Sequence, residues 1–260
     1  QYGGPRDVVI GMKIVQSDGV VTHSGGQVVK NVSGYDMSRM HIGGIGTLGI
    51  IAEVSLKLTP LPSRQVTVLA SFDSGSSCIR AALDVFNSDV VPLAITTFDN
   101  AAASRMSIPQ TEESHTLALC LGGRPETLKR QLRDTVAIVQ RAEASMIQTL
   151  EDNDMASLWR SLSDFGWDEN TRPLLGVRAS VMPTACAGLV ELFEGMISPD
   201  GIGPAVVSHP AHGTVLACWY VEGEVIDSAV VEMMSKARSV VEKSGGSLVI
   251  ERAPIGTKLL

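Results

Sequence analysis

A glycine-rich bend, Gly44-Ile45-Gly46-Thr47-Leu48-Gly49, runs directly into a segment that alternates like a strand. In the dinucleotide-binding βαβ unit, G-x-G-x-x-G leads out of a strand and into a helix whose N-terminus faces the pyrophosphate. Here the exit is Ile50-Ile51, then Ala52, Val54, Leu56 and Leu58 on one face and Glu53, Ser55 and Lys57 on the other. A period of two predicts a strand. Pro60 and Pro62 end it, since proline cannot donate to a ladder. Without a helix dipole, an anion at this bend would have to be held by loop amides.

The rest of the chain narrows the class. Its 260 residues are 44% hydrophobic, enough for one large domain or two smaller ones with real cores. A net charge of -7 argues against a general nucleic-acid role, and no basic run suggests a membrane surface. The four cysteines, Cys78, Cys120, Cys186 and Cys218, are far apart and read as buried thiols in a reducing compartment. No apolar run is long enough to span a bilayer, and no signal-peptide pattern is visible. The chain starts without an initiator Met and ends in an apolar stretch. Both ends therefore read as those of a fragment of a longer protein, or of a trimmed one.

The pattern is α+β. Val8 to Val15 predicts a strand, Gln16-Ser17-Asp18-Gly19 a hairpin turn, and Val20 to His23 the returning strand. Met37 to His41 predicts a short helix ahead of the glycine bend. A boundary at Leu61-Pro62-Ser63 separates a block of residues 1–62 from residues 63–260. The second block reads as βαββαβ twice over. Its first helix, Ser76 to Asn87, places Ile79, Leu83 and Phe86 on one side, and an extra helix is expected around Met155 to Leu162. Thr116-Leu117-Ala118-Leu119-Cys120 parallels Thr214-Val215-Leu216-Ala217-Cys218, each followed by a glycine turn and a long amphipathic helix. Each half can form a ferredoxin-like unit with helices on one sheet face. The other face then needs a cover, such as a substrate site or another domain.

Two stretches carry a family likeness: Lys30-Asn31-Val32-Ser33-Gly34-Tyr35-Asp36-Met37, and Gly43 through Val54. At this spacing they resemble the FAD-binding domain of the vanillyl-alcohol oxidase and p-cresol methylhydroxylase type. Within that type the chain is most similar to the FAD-binding subunits of bacterial glycolate oxidases. The resemblance implies that residues 1–62 are the C-terminal part of an FAD-binding domain, and that residues 63–260 are an incomplete substrate-side cap of two ferredoxin-like repeats. It places Gly44, Ile45, Gly46, Thr47, Leu48, Gly49, Ile50 and Ile51 along the FAD. The residues themselves agree, because glycines allow backbone to approach a ligand and turn amides can cradle phosphate. Lys30, Asn31 and Tyr35 lie just ahead of the bend and are expected to fix the turn by hydrogen bonds. The family's own pyrophosphate loop has no match, so this piece alone is expected to bind FAD poorly.

The cap departs from the dehydrogenase relatives, which carry H-x-G-D-G-N-x-H and bind a divalent metal. The matching stretch is His209-Pro210-Ala211-His212-Gly213-Thr214-Val215-Leu216, so Leu216 stands where the second histidine belongs. No third ligand is matched near Glu251, and no metal is expected. Arg178, on a strand expected to face the flavin, is the candidate for a substrate carboxylate, against a salt-bridged strand residue. Trp159-Arg160 either lines the same cleft or is a core aromatic beside a surface charge. Asp164-Phe165-Gly166 spells the kinase DFG, but no His-Arg-Asp precedes it and no V-A-I-K lysine follows the glycines.

The resemblance thus implies an FAD-dependent oxidoreductase component that passes a hydride from a small 2-hydroxy acid to flavin. The alternative is a non-catalytic FAD-holding subunit that docks a catalytic flavoprotein and an iron–sulfur subunit. A further alternative, from another class, is an αβ binding module with a fortuitous glycine bend. The implied location is cytoplasmic, reaching the inner face of the cell membrane only through partners.

Overall fold

The computed structural model describes residues 3–26, 36–108, 113–167, 172–197, 201–220 and 228–254. The chain divides into two compact units, Gln1–Leu61 and Pro62–Leu260.

In the first unit, helix α1 (Pro5–Val8) leads into strand β1 (Val9–Val15), which turns into β2 (Val21–Gly25). The turn closes through Gln16 N–H on the Val20 carbonyl at 2.9 Å, with Gly19 at φ 84° and the Asp18 carboxylate accepting from Val20 N–H at 2.9 Å. Helix α2 (Ser38–His41) precedes the glycine bend, and β3 (Ile50–Leu56) follows it. The three strands form an antiparallel sheet in the order β2-β1-β3. Lys13 on β1 faces Glu53 on β3 and bonds it at 2.8 Å.

The period-two segment is a strand, as its pattern predicts, but its apolar side is not buried. Val54, Leu56 and Leu58 all remain exposed. A small sheet has little to cover a second face, and its buried apolar side chains are Met12 and Ile14 on β1.

The second unit is one antiparallel sheet of eight strands layered with helices. In chain order its elements are β4 (Arg64–Phe72), α3 (Gly75–Phe86), β5 (Ala94–Asp99), α4 (Asn100–Arg105), β6 (His115–Gly123), α5 (Pro125–Arg141), β7 (Met146–Leu150), α6 (Asp152–Asp164), β8 (Leu175–Ser180), α7 (Cys186–Glu194), β9 (Ala205–His209), β10 (Thr214–Trp219), α8 (Ser228–Lys243) and β11 (Ser247–Arg252). The strand order is β11-β8-β10-β9-β5-β6-β4-β7. Helices α3, α5, α7 and α8 cover one face. There Val68, Leu117, Leu119 and Val139 form one core, and Val177, Val190, Phe193, Ala217 and Trp219 another. Phe193 meets Trp219 edge-on at 6.3 Å. The opposite face carries α4 and α6, whose Ala102, Ala103, Leu158 and Leu162 pack on Leu69, Phe98 and Val207.

Two local expectations change. Phe86 is exposed, because α3 packs through the small side chains Cys78, Ala81 and Ala82 together with Ile79 and Val85. Helix α4 was not anticipated; the Asp99 carboxylate caps it by accepting from Ala102 N–H at 2.6 Å.

The seam at β5 and β9 joins the two halves of the sheet. Its ladder is short, with Thr97 opposite Ser208 and Phe98 opposite Val207. Side chains extend it. Asp99 also accepts from Val206 N–H at 3.1 Å, and Thr96 Oγ1 lies 3.1 Å from His209 Nδ1. On the helix side, Ser76 of α3 bonds Glu191 of α7, and His115 of β6 meets Glu194 of α7 at 2.5 Å.

The His115 contact fixes a proton count. The Ser114 hydroxyl donates to the Asp73 carbonyl at 2.5 Å, so its oxygen must accept from His115 Nδ1–H at 2.7 Å. The short contact between His115 Nε2 and Glu194 Oε1 therefore needs one further proton, shared by the pair. Glu194→Gln can keep a bond by donating its amide to a neutral imidazole. Glu194→Ala leaves a buried ring nitrogen unpaired. The alanine variant is expected to lose about 2 kcal/mol and the glutamine variant under about 1 kcal/mol. Urea unfolding of both at neutral pH checks the order.

Candidate functional site

The bend between α2 and β3 is held by its own backbone. Gly44 N–H donates to the His41 carbonyl at 3.1 Å, and Gly49 N–H to Gly46 at 3.4 Å. The Gly44 carbonyl takes both Thr47 N–H at 2.9 Å and Thr47 Oγ1 at 2.6 Å. Ile45 and Gly46 are consecutive left-handed residues, at φ 49° and 76°. Successive residues of this kind turn amides outward into a concave nest suited to an anion. Among the described residues, no acceptor is recorded for the amides of Ile45, Gly46 and Leu48.

A cleft of about 440 Å³ opens over this bend, lined by the glycine loop, His41, Ile50 and Ile51. Of the residues expected along the cofactor, Gly44, Ile45, Gly46, Leu48, Gly49, Ile50 and Ile51 border it. Thr47 is not among them; its hydroxyl is spent on the loop itself. A Cβ on Gly46 would meet nothing within 4 Å, so open space lies over the turn. Three amides without an internal acceptor, two consecutive left-handed residues and this space are the elements of an anion site. Sequence reasoning missed His41, which borders the same cleft. Lys30, Asn31 and Tyr35 lie outside the described residues, while Asp36 pairs with Arg39 at 3.0 Å.

In the second unit, Arg178 stands on β8 opposite Leu216 of β10 and Val249 of β11. Its Nε bonds Glu251 at 2.5 Å. No partner is recorded for its Nη groups among the described residues. A small cavity of about 70 Å³ lies between Phe165, Trp167, Leu216, Cys218, Glu251 and Arg252. Trp159 on α6 donates its indole N–H to Thr67 Oγ1 at 2.7 Å and packs against the core of that face. His209 bonds Thr96, and burial holds its imidazole below the ordinary range, which favours the neutral ring.

All four cysteines are free and buried. Burial pushes the Cys186 thiol up to about 11 and Cys218 to about 12, so neither is a nucleophile near neutral pH. Phe165 is buried and Gly166 is left-handed, so the DFG triplet is a helix end.

The second unit is an antiparallel sheet layered with helices, and the glycine bend of the first opens outward into a strand. Residues 61–251 match the model of the FAD linked oxidases, C-terminal domain, and the chain belongs to that family. The family takes its name from FAD-linked oxidation. The glycolate oxidase subunit GlcD of Bacillus subtilis (strain 168) is 28% identical over 190 residues, covering 71% of this chain and 38% of that protein. The glycolate oxidase subunit GlcE of Escherichia coli (strain K12) is 35% identical over 107 residues, covering 40% of this chain and 29% of that protein. The chain thus spans well under half of these relatives. A solved structure of p-cresol methylhydroxylase with substrate bound shares the fold at a TM-score of 0.68 and 13% identity, over 92% of this chain and 56% of its own. No helix among the described residues is long and apolar enough to cross a membrane.

Proposed function

We propose that this chain is an FAD-holding component of a flavin-dependent oxidoreductase acting on a small 2-hydroxy acid of the glycolate kind. One observation carries the reading. The bend from Gly44 to Gly49 leaves the amides of Ile45, Gly46 and Leu48 without a partner among the described residues, borders an open cleft and then enters a strand. Residues 44–51 would hold the dinucleotide through those amides. FAD, when bound, supplies the hydride acceptor for the carbon bearing the hydroxyl.

The second unit is read as the substrate-side cap, made of two ferredoxin-like halves. Support comes from the strand orders β7-β4-β6-β5 and β11-β8-β10-β9; the second half runs βαββαβ, and the first does so with α4 inserted between β5 and β6. Arg178 would orient a substrate carboxylate through its Nη groups while Glu251 holds its Nε.

A second reading is favoured by the same face. His209 is engaged by Thr96 and stays neutral, and Arg178 already spends part of its charge on Glu251. On this reading the chain holds FAD without turning over substrate. It would dock a catalytic flavoprotein and an iron–sulfur subunit in a cytoplasmic complex, at the inner face of the membrane through those partners. The relatives GlcD and GlcE, both named as glycolate oxidase subunits, motivate that assembly.

Reconstitution of the full-length protein with FAD, followed by glycolate or D-lactate and a dye acceptor, separates these readings. Flavin bleaching on adding the acid is the expected result for the first. Bound but inert flavin supports the second. A full-length protein that takes up no flavin sinks both.

A further inference from the structure

We propose that His41 is the phosphate-engaging side chain of the glycine-loop cleft. It makes that cleft selective for the phosphorylated part of the nucleotide over the isoalloxazine ring. The inference rests on the reading of this loop as the FAD site.

Every other residue lining the cleft is glycine, isoleucine or leucine, so His41 supplies its one polar side chain. The ring is half-buried, and no hydrogen-bond partner for it is recorded among the described residues. A half-buried imidazole without a protein partner is poised to donate to something not of the chain.

The backbone fixes its place. The His41 carbonyl accepts from Gly44 N–H at 3.1 Å, which ties the base of the side chain to the start of the nest. The imidazole and the outward amides of Ile45 and Gly46 thus border one space from two sides. Two of the four α2 carbonyls are occupied. Ile42 N–H caps Ser38 at 3.3 Å, and Gly44 N–H caps His41 itself. The nearby charges favour an anion as well. Arg6 of α1 donates through Nη2 to the Ile42 carbonyl at 3.1 Å, and the Asp36 carboxylate is committed to Arg39. Main-chain donors and a ring N–H donor form a phosphate-binding set, while the other side chains of the cleft are apolar and offer a phosphate nothing.

The test measures dissociation constants of FAD, ADP and riboflavin for the full-length protein as wild type, His41→Ala and His41→Lys. Circular dichroism confirms that each variant is folded. His41→Ala is expected to weaken FAD and ADP about tenfold and leave riboflavin unchanged, and His41→Lys to restore much of the loss. Equal weakening of riboflavin and FAD would make His41 a prop for the bend and overturn the inference. So would unchanged ADP binding in the alanine variant, although the FAD reading would survive. Wild type binding neither FAD nor ADP overturns the FAD reading and this inference together.

Discussion

Gly49→Ala is expected to destabilise the first unit by about 3 kcal/mol, and Gly46→Ala by about 1 kcal/mol. The two glycines belong to one motif but answer to different constraints. A Cβ at Gly49 would lie 2.8 Å from the Val15 carbonyl oxygen and 2.9 Å from Ile14 Cγ2. Both atoms belong to β1, and Val15 is the ladder partner of Ile50. The carbonyl cannot withdraw without opening the β1–β3 pairing at its first rung. The backbone itself, at φ 133°, is one that side chains rarely adopt. Gly46 carries only the left-handed cost, since nothing lies within 4 Å of its added carbon. That carbon would instead project into the space proposed for the nucleotide. Hydrogen exchange of β1 and β3 amides should show lost protection in Gly49→Ala and near wild-type protection in Gly46→Ala. Flavin affinity should fall in both. Full protection in Gly49→Ala would mean that β1 yields, and the motif would lose its structural explanation.

Much of this was legible in the sequence because it is local. The exit strand follows from the alternation of Ala52, Val54 and Leu56 against Glu53 and Ser55. The long helices of the second unit follow from their apolar periodicity, and Gly123 and Gly245 mark turns between elements. Non-local facts were not legible. No period tells β5 to pair with β9, or Arg178 to meet a glutamate 73 residues away. Helix α4 is short and alanine-rich, with no amphipathic stripe, so its one signal was Asp99 as a cap. Phe86 shares the phase of Ile79 but lies at the edge of the buried stripe and at the helix end, where it is exposed. The buried stripe of α3 is made mostly of small residues, which let the helix sit close to the sheet. His41 was passed over because a glycine motif draws attention to its own letters, and its cleft exists only once α2 and the bend are folded together.

Asp99→Asn is expected to remove about 3 kcal/mol of pH-dependent stability, the second large effect. Asp99 sits at the seam, accepting from Ala102 N–H at the start of α4 and from Val206 N–H on β9. Burial, the largest influence, raises its carboxyl from 3.8 to about 6; the two amides, and His115 by its charge, pull it back, while Glu194 pushes it up. With a raised acid, the folded chain holds a proton that the unfolded chain has already released. Its contribution to stability is therefore full below about pH 3.8 and lost as pH rises through about 6. A shift of this size corresponds to about 3 kcal/mol. Asparagine keeps an acceptor for Ala102 N–H but cannot ionise, so its variant lacks this slope. Denaturant unfolding at intervals from pH 4 to pH 7 isolates the effect, because other titrating groups largely cancel between the two proteins. The stability difference, wild type minus variant, should fall by about 2.4 kcal/mol across that range. Parallel profiles would mean that Asp99 is solvated in the folded chain, and that the seam is held by its short ladder alone.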